Sequence, residues 1–225
     1  NSNGKRKMLV KNWMNQTVIS LDVTDSIQTA NQLFIKNRIR SLPVLENGKL
    51  VGIVSDRDLK KVLVSEDLGM DHNEIVYLNS AIKVKEIMTE DPVTVSPYVT
   101  VDEVAQKMFI NKISGLPVVD KEGELVGIIT QGDIFKLLIS LTGIEKKGVQ
   151  MAMQLKDELD SIKEIVDILR SYQGRVVSML TSSKDIPSEK QNVYFRVSDL
   201  DLSKIEELKA ELASHAILIY VVKHS

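Results

Sequence analysis

The chain has 225 residues, enough for one large domain or two small ones, and its 43% hydrophobic and 27% charged content is that of an ordinary globular protein. A net charge of -2 and a pI near 6.0 leave no basic surplus for nucleic acid, and the absence of cysteine excludes disulfides and thiol catalysis while agreeing with a reducing cytosol. No apolar run approaches the roughly 18 residues of a membrane span; the longest, 216–222, has the length of a strand.

Residues 1–7 are polar, carry no apolar signal core and are set apart from the fold. A first block follows at 8–63, opened by Trp13 and Met14 as an apolar anchor. It reads as an extended piece at 18–21, a helix, strands at 42–45 and 50–55 joined by the hairpin signal Asn47-Gly48, and a helix beginning near Asp58. Residues 64–83 connect it onward: Glu66, Asp67, Gly69, Asp71 and Asn73 suggest a loop, followed by a short helix near 80–88. The block 84–138 then repeats the first. Its extended piece is 93–95, and its first helix carries Val101, Val104, Ala105 and Met108 on one face behind a Thr100–Glu103 capping box. Met88 matches Met14 at an offset of 74, which holds through Ile113, Leu116, Pro117 and Val118; one extra residue in the turn at 120–123 makes it 75 through Gly127, Asp133 and Leu138. A duplication of this length predicts two small units that extend a limited core by pairing around a pseudo-twofold axis.

Beyond residue 138 the pattern changes. The stretch 139–148 reads as a linker, with Gly143 and Gly148 enclosing polar residues. In the block 149–224, Val149, Met151, Met153 and Leu155 alternate as a strand, and Ile162, Ile165, Val166 and Leu169 have helical spacing before Gly174, a helix stop. Strands at 176–180 and around Val193, Phe195 and Val197 follow, then a Ser203–Glu206 capping box ahead of a helix, then a strand at 216–222. The order βαββαβ is the ferredoxin-like split βαβ, with helices on one sheet face and the other left to water or a partner.

The strings Gly52-Ile53-Val54-Ser55-Asp56-Arg57-Asp58 and Gly127-Ile128-Ile129-Thr130-Gln131-Gly132-Asp133 carry the chemistry. A hydroxyl at a helix N-terminus stands among backbone N–H groups that attract phosphate, and a first-turn aspartate can accept both hydroxyls of a ribose. The preceding glycine lets a ligand or another strand approach closely. The same Ser-x-x-Asp and Thr-x-x-Asp spacing is also a capping box, which needs no ligand. Duplication within a longer repeat favours the ligand reading.

With those strings, Ile39-Arg40-Ser41-Leu42-Pro43-Val44 and Ile113-Ser114-Gly115-Leu116-Pro117-Val118 resemble the motifs of tandem CBS domains, the paired Bateman module, and the third block resembles an ACT domain. The order CBS-CBS-ACT at this length resembles the acetoin-utilization family. The resemblance implies an α+β fold of two CBS units with pseudo-twofold symmetry plus a ferredoxin-like ACT domain. It also implies adenosyl regulatory ligands: AMP, ADP, ATP or S-adenosylmethionine. The implied ribose contacts are Asp58 and Asp133, with Ser55 and Thr130 beside ribose or phosphate. Adenine contacts fall on Thr17, Val18 and Ile19 and on Asp91, Pro92 and Val93, and apolar walls on Ile39, Leu42 and Pro43 and on Ile113, Leu116 and Pro117.

The two sites differ. Arg38, Arg40 and Arg57 of the first repeat have Lys112, Ser114 and Gly132 as their counterparts in the second, and arginine offers phosphate a bidentate fork, so the first cleft is expected to favour anions more. The third block lacks the Pro-Gly of amino-acid-binding ACT domains at 155–161, so it is assigned assembly rather than a site. His72, His215 and His224 are scattered without metal-ligand spacing, and neither a Walker A nor a Gly-x-Gly-x-x-Gly string occurs. The expectation is a cytoplasmic regulatory homodimer with an unknown effector, without catalytic residues, catalytic cofactor, metal, nucleic-acid or membrane partner. Its rivals are a sensor of cyclic di-AMP or an amino acid, and a scaffold whose clefts are degenerate.

Overall fold

A computed structural model of the chain describes residues 8–63 and 71–224. The chain divides into two compact units, with the division after Phe135.

In the first unit, β1 (Leu21–Asp22) lies parallel to β2 (Ser41–Glu46), which pairs antiparallel with β3 (Lys49–Ser55). The hairpin between β2 and β3 turns on Asn47 at φ 52° and Gly48 at φ 82°; positive φ at both positions is what an Asn-Gly hairpin requires. Helix α1 (Ile27–Asn37) is capped by the Ser26 hydroxyl, which accepts the Thr29 N–H at 3.2 Å, and buries Ile27, Ala30 and Phe34. With α2 (Asp56–Val62) it covers a core of Leu21, Leu42, Val44, Val54 and Leu59. Helix α3 (His72–Ala81) follows, capped by Asp71. The short helix expected near 80–88 is therefore corrected to an earlier one: Asp71, taken as loop, caps it, and 84–86 form a single 3-10 turn. Glu66, Asp67 and Gly69 lie outside the described residues.

β4 (Thr89–Glu90) completes the first sheet by pairing with β3. The second repeat then lays down α4 (Val101–Asn111), β5 (Gly115–Val119), β6 (Leu125–Thr130) and α5 (Gln131–Thr142). Thr100 precedes α4 without capping its backbone; its hydroxyl donates instead to the Glu103 carboxylate at 3.1 Å, so the expected capping box does not form. β5 and β6 pair antiparallel, and isolated bridges add Val95 beside Val118 and Asn15 beside Ile128.

These pairings exchange the two lead-in segments. Val10 N–H donates to the Val99 carbonyl at 3.0 Å, and Asn15 and Ile128 exchange two hydrogen bonds of 2.9 Å, so the chain before the first repeat packs on the second. Val84 N–H donates to the Asp25 carbonyl at 2.9 Å, and Val84 belongs to the first repeat's core. The motif glycines make room for this exchange. A Cβ on Gly52 would stand 2.5 Å from the Met88 sulfur and 3.1 Å from the Thr89 carbonyl oxygen; one on Gly127 would stand 2.6 Å from the Met14 sulfur and 3.1 Å from the Asn15 carbonyl oxygen. The methionine tip can move but the backbone oxygen cannot, so Gly52→Ala and Gly127→Ala are each expected to cost about 1–3 kcal/mol by overpacking. Urea denaturation measures the cost, and pairing Gly52→Ala with Met88→Ala should recover part of it.

The second unit is an antiparallel sheet of β7 (Gly148–Lys156), β8 (Arg175–Ser182), β9 (Lys190–Ser198) and β10 (Ile217–His224) in the order β10-β7-β9-β8. Helices α6 (Ser161–Ser171) and α7 (Ile205–His215) supply Ile165, Leu169, Leu208 and Leu212 to a core with Met151, Met153, Val193, Phe195 and Val197. This is the split βαβ arrangement. Two local readings change. Gln173 at φ 64°, not Gly174, takes the left-handed position after α6. Asp201, rather than a Ser203–Glu206 box, precedes α7, accepting the Ser203 N–H at 3.1 Å and hydroxyl at 2.6 Å. The face opposite the helices is not wholly open. α5 continues to Thr142, into the stretch read as a linker, and its end is hydrogen-bonded to Ser178 and Arg196 on that face. Among the described residues no helix is long and apolar enough to cross a membrane.

Candidate functional site

Each duplicated string forms a strand-to-helix junction. In the first, the Ser55 hydroxyl accepts the Asp58 N–H at 3.2 Å and donates to Asp58 Oδ2 at 2.5 Å, while Ser55 N–H donates to the same oxygen at 3.3 Å. The capping box is thus fully made. Asp58 Oδ1 takes the Lys61 ammonium at 3.1 Å, a contact one helical turn away that the sequence reading did not single out. In the second junction Thr130 N–H and hydroxyl both donate to Asp133 Oδ2, at 3.0 and 2.7 Å, and Asp133 is only 7% exposed. The spacing therefore serves the fold at both places. A ligand there meets a carboxylate already oriented by its own helix N-terminus.

Burial of Asp58 opposes its charge. Hydrogen bonds from the Ser55 hydroxyl, Lys61 and the Ser55 N–H outweigh that effect and hold the carboxyl below the ordinary carboxylate range. A carboxyl whose folded pKa is depressed contributes stability above its unfolded value, about 3.9, and loses it as pH falls through the lowered folded value. Asp58→Asn is expected to cost about 1 kcal/mol at neutral pH by weakening the cap, a deficit that shrinks below about pH 4. Denaturant melts of both proteins from pH 7 to pH 3 measure this closing gap.

The strands place the remaining candidates around these junctions. Ser41 is the register partner of Ser55, and the Arg40 carbonyl accepts the Asp56 N–H at 3.1 Å, so Arg40 adjoins the start of α2. Gly115 pairs with Thr130 in the same way, and the Ser114 carbonyl accepts the Gln131 N–H at 3.0 Å. The Gln131 side chain also reaches the Ile113 carbonyl at 3.4 Å, a contact with no counterpart at Asp56. Ile19 and Ile39 pack against the same core as Leu42. Leu42 and Leu116 are fully buried, and Pro43 and Pro117 are buried as well.

The segments expected to carry adenine contacts are the two crossing pieces. Thr17, Val18 and Ile19 lead from the Asn15–Ile128 bridge to β1, and Asp91, Pro92 and Val93 lead from β4 to the Val95–Val118 bridge. Thr17 N–H is held by Asn15 Oδ1 at 3.0 Å, Asp91 takes φ 45°, and Val93 is exposed. Arg38 and Lys112 occupy equivalent left-handed positions after α1 and α4, at φ 53° and 54°. Arg38, Arg40 and Arg57 are all exposed, and none is ion-paired with another described residue. Gly132 occupies the place equivalent to Arg57 and is exposed in α5. Among the described residues, no three His, Cys, Asp or Glu side chains group as a metal site.

Both junctions lie in a part of the chain that is similar to known proteins. The family model described as the CBS domain matches residues 10–65 and 84–140. A CBS domain-containing protein of Dictyostelium discoideum is 35% identical over 136 residues, 60% of this chain and 94% of that one. The crystal structure of a Vibrio cholerae protein named for acetoin utilization, AcuB, is 33% identical with a TM-score of 0.50, over 61% of this chain and 94% of that one. CBSX2 of Arabidopsis thaliana, solved in complex with AMP, is 26% identical with a TM-score of 0.50, over 62% of this chain and all of that one.

Proposed function

The chain belongs to the CBS-domain family, and on that premise we propose that it is a regulatory sensor rather than an enzyme, with two clefts that take adenosyl nucleotides. The observation that carries this reading is the duplicated junction: a hydroxyl and an aspartate, locked together at a helix start, stand twice beside a strand pair and a crossing segment. The AMP complex of CBSX2 supports AMP as the ligand class, with ADP, ATP and S-adenosylmethionine sharing its adenosyl group. Asp58 and Asp133 accept the ribose hydroxyls, and Ser55 and Thr130 lie beside them. The crossing segments offer main-chain contacts to adenine, and Arg40 and Arg57 serve phosphate at the first cleft. Occupancy shifts the protein between states only to the extent that ligand prefers one of them. The second unit is read as an ACT domain with an assembly role, the whole as a cytoplasmic homodimer acting on an effector protein. The likeness to AcuB supports a role in acetoin metabolism.

Calorimetric titration of the full chain with AMP, ADP, ATP and S-adenosylmethionine tests the reading. AMP at 100 times its dissociation constant should add about 2.7 kcal/mol of stability. A response only to cyclic di-AMP or to an amino acid would replace the ligand class. A scaffold with degenerate clefts is the second reading, favoured by the internal use of Asp58 by Ser55 and Lys61; silence toward every ligand would establish it.

A further inference from the structure

The division between the two compact units falls inside α5, after Phe135. One end of this helix carries Asp133 in its first turn. At the other end the Thr142 carbonyl accepts Arg196 Nε at 2.9 Å and the Ser178 hydroxyl at 2.8 Å. Arg196 Nη2 donates to Gln150 Oε1 at 2.9 Å, and Gln150 Nε2 donates to the Tyr220 hydroxyl at 3.2 Å. A polar row, one residue from each strand of the second sheet, thus converges on the end of one helix. Gly143 leaves that helix at φ 61°, where a Cβ would stand 2.6 Å from Val177 Cγ1, so the chain turns off close against β8.

Arg196 is 3% exposed, pairs with no carboxylate among the described residues, and its buried Nη1 has no acceptor among them. A guanidinium buried against neutral partners is costly. Here the negative end of the helix dipole offsets part of that cost. Such a contact is well placed to open and close: it holds the helix end by two hydrogen bonds and leaves a third donor unused.

We infer that Arg196 and Ser178 form a latch on the C-terminal end of α5 and that its closure strengthens nucleotide binding at the cleft containing Asp133. The inference rests on the nucleotide reading of that cleft. α5 has only 12 residues, and a helix of that length is marginal without tertiary support. Releasing its last turn adds to the ordering that a ligand at its first turn must impose. By reciprocity, a ligand at Asp133 tightens the latch. Arg196 is a positioning residue: it acts through the helix and touches no ligand.

Hydrogen exchange and AMP titration of the full chain test this together. AMP should raise protection of the amides at 139–143, and Arg196→Met and Ser178→Ala should lower it. Measured in an Asp58→Ala background, which reports the second cleft, Arg196→Met should weaken AMP about fivefold or more; in an Asp133→Ala background the change should stay within about twofold. Arg196→Lys, which keeps the charge but loses the fork, should behave as Arg196→Met. Equal weakening in both backgrounds, or none in either, overturns the inference. If Arg196→Met does not fold, Ser178→Ala carries the same comparison. If the unsubstituted chain binds no AMP, the nucleotide reading and the coupling fall together, and exchange at 139–143 still decides whether the latch exists.

Discussion

Phe195→Ala is expected to destabilise the second unit by about 3–5 kcal/mol, the cost of emptying an aromatic site in a packed core. Phe195 is fully buried, opposite Met151 on β7 and Met179 on β8, within the cluster closed by Ile165, Leu169, Leu208 and Leu212. Its neighbours come from three strands and two helices, so no single segment can collapse into the vacancy. The chain's single tryptophan, Trp13, lies in the first unit and offers an internal control. Far-UV circular dichroism should lose part of its amplitude at lower denaturant, while the Trp13 fluorescence midpoint moves less. Coincident shifts of equal size would show that the two units unfold as one.

What the sequence disclosed depended on the reach of the signal. Local signals were readable: Asn47-Gly48 specifies a turn with two positive φ values, and the alternation of Val193, Phe195 and Val197 assigns the core face of β9. The aspartate in each junction string was found as well, because hydroxyl, aspartate and helix start lie within four residues. The lead-in exchange was not readable. Met14 registers as an apolar anchor and Met88 as its match in the repeat, but the surfaces they rest on are glycines more than 35 residues away, and periodicity carries no information about such partners. Polar residues misled in two places. Asp71 looked like loop and is a helix cap, whereas Ser203 and Glu206 had the spacing of a capping box that Asp201 pre-empts. The burial of Arg196 was invisible for the same reason as the exchange: alternation puts it opposite the core, and only the tertiary course of α5 covers it.

The second large effect is expected at Asp133. On the proposed reading, Asp133→Ala should weaken adenosine at the second cleft by at least about 100-fold, since two hydrogen bonds from a ribose diol to a charged acceptor are lost. Asp58→Ala should weaken adenosine at the first cleft by a similar factor, for the same two hydrogen bonds are lost there. Phosphate separates the two clefts. Arg38, Arg40 and Arg57 stand exposed around the first junction, where the second has Lys112, Ser114 and Gly132, so ATP should gain more over adenosine at the first cleft. Calorimetry of each aspartate variant with adenosine and with ATP separates the four affinities, and salt should weaken ATP at the first cleft most. If both substitutions remove equal shares of adenosine and of ATP binding, the two clefts are equivalent and the arginines are ordinary surface charges.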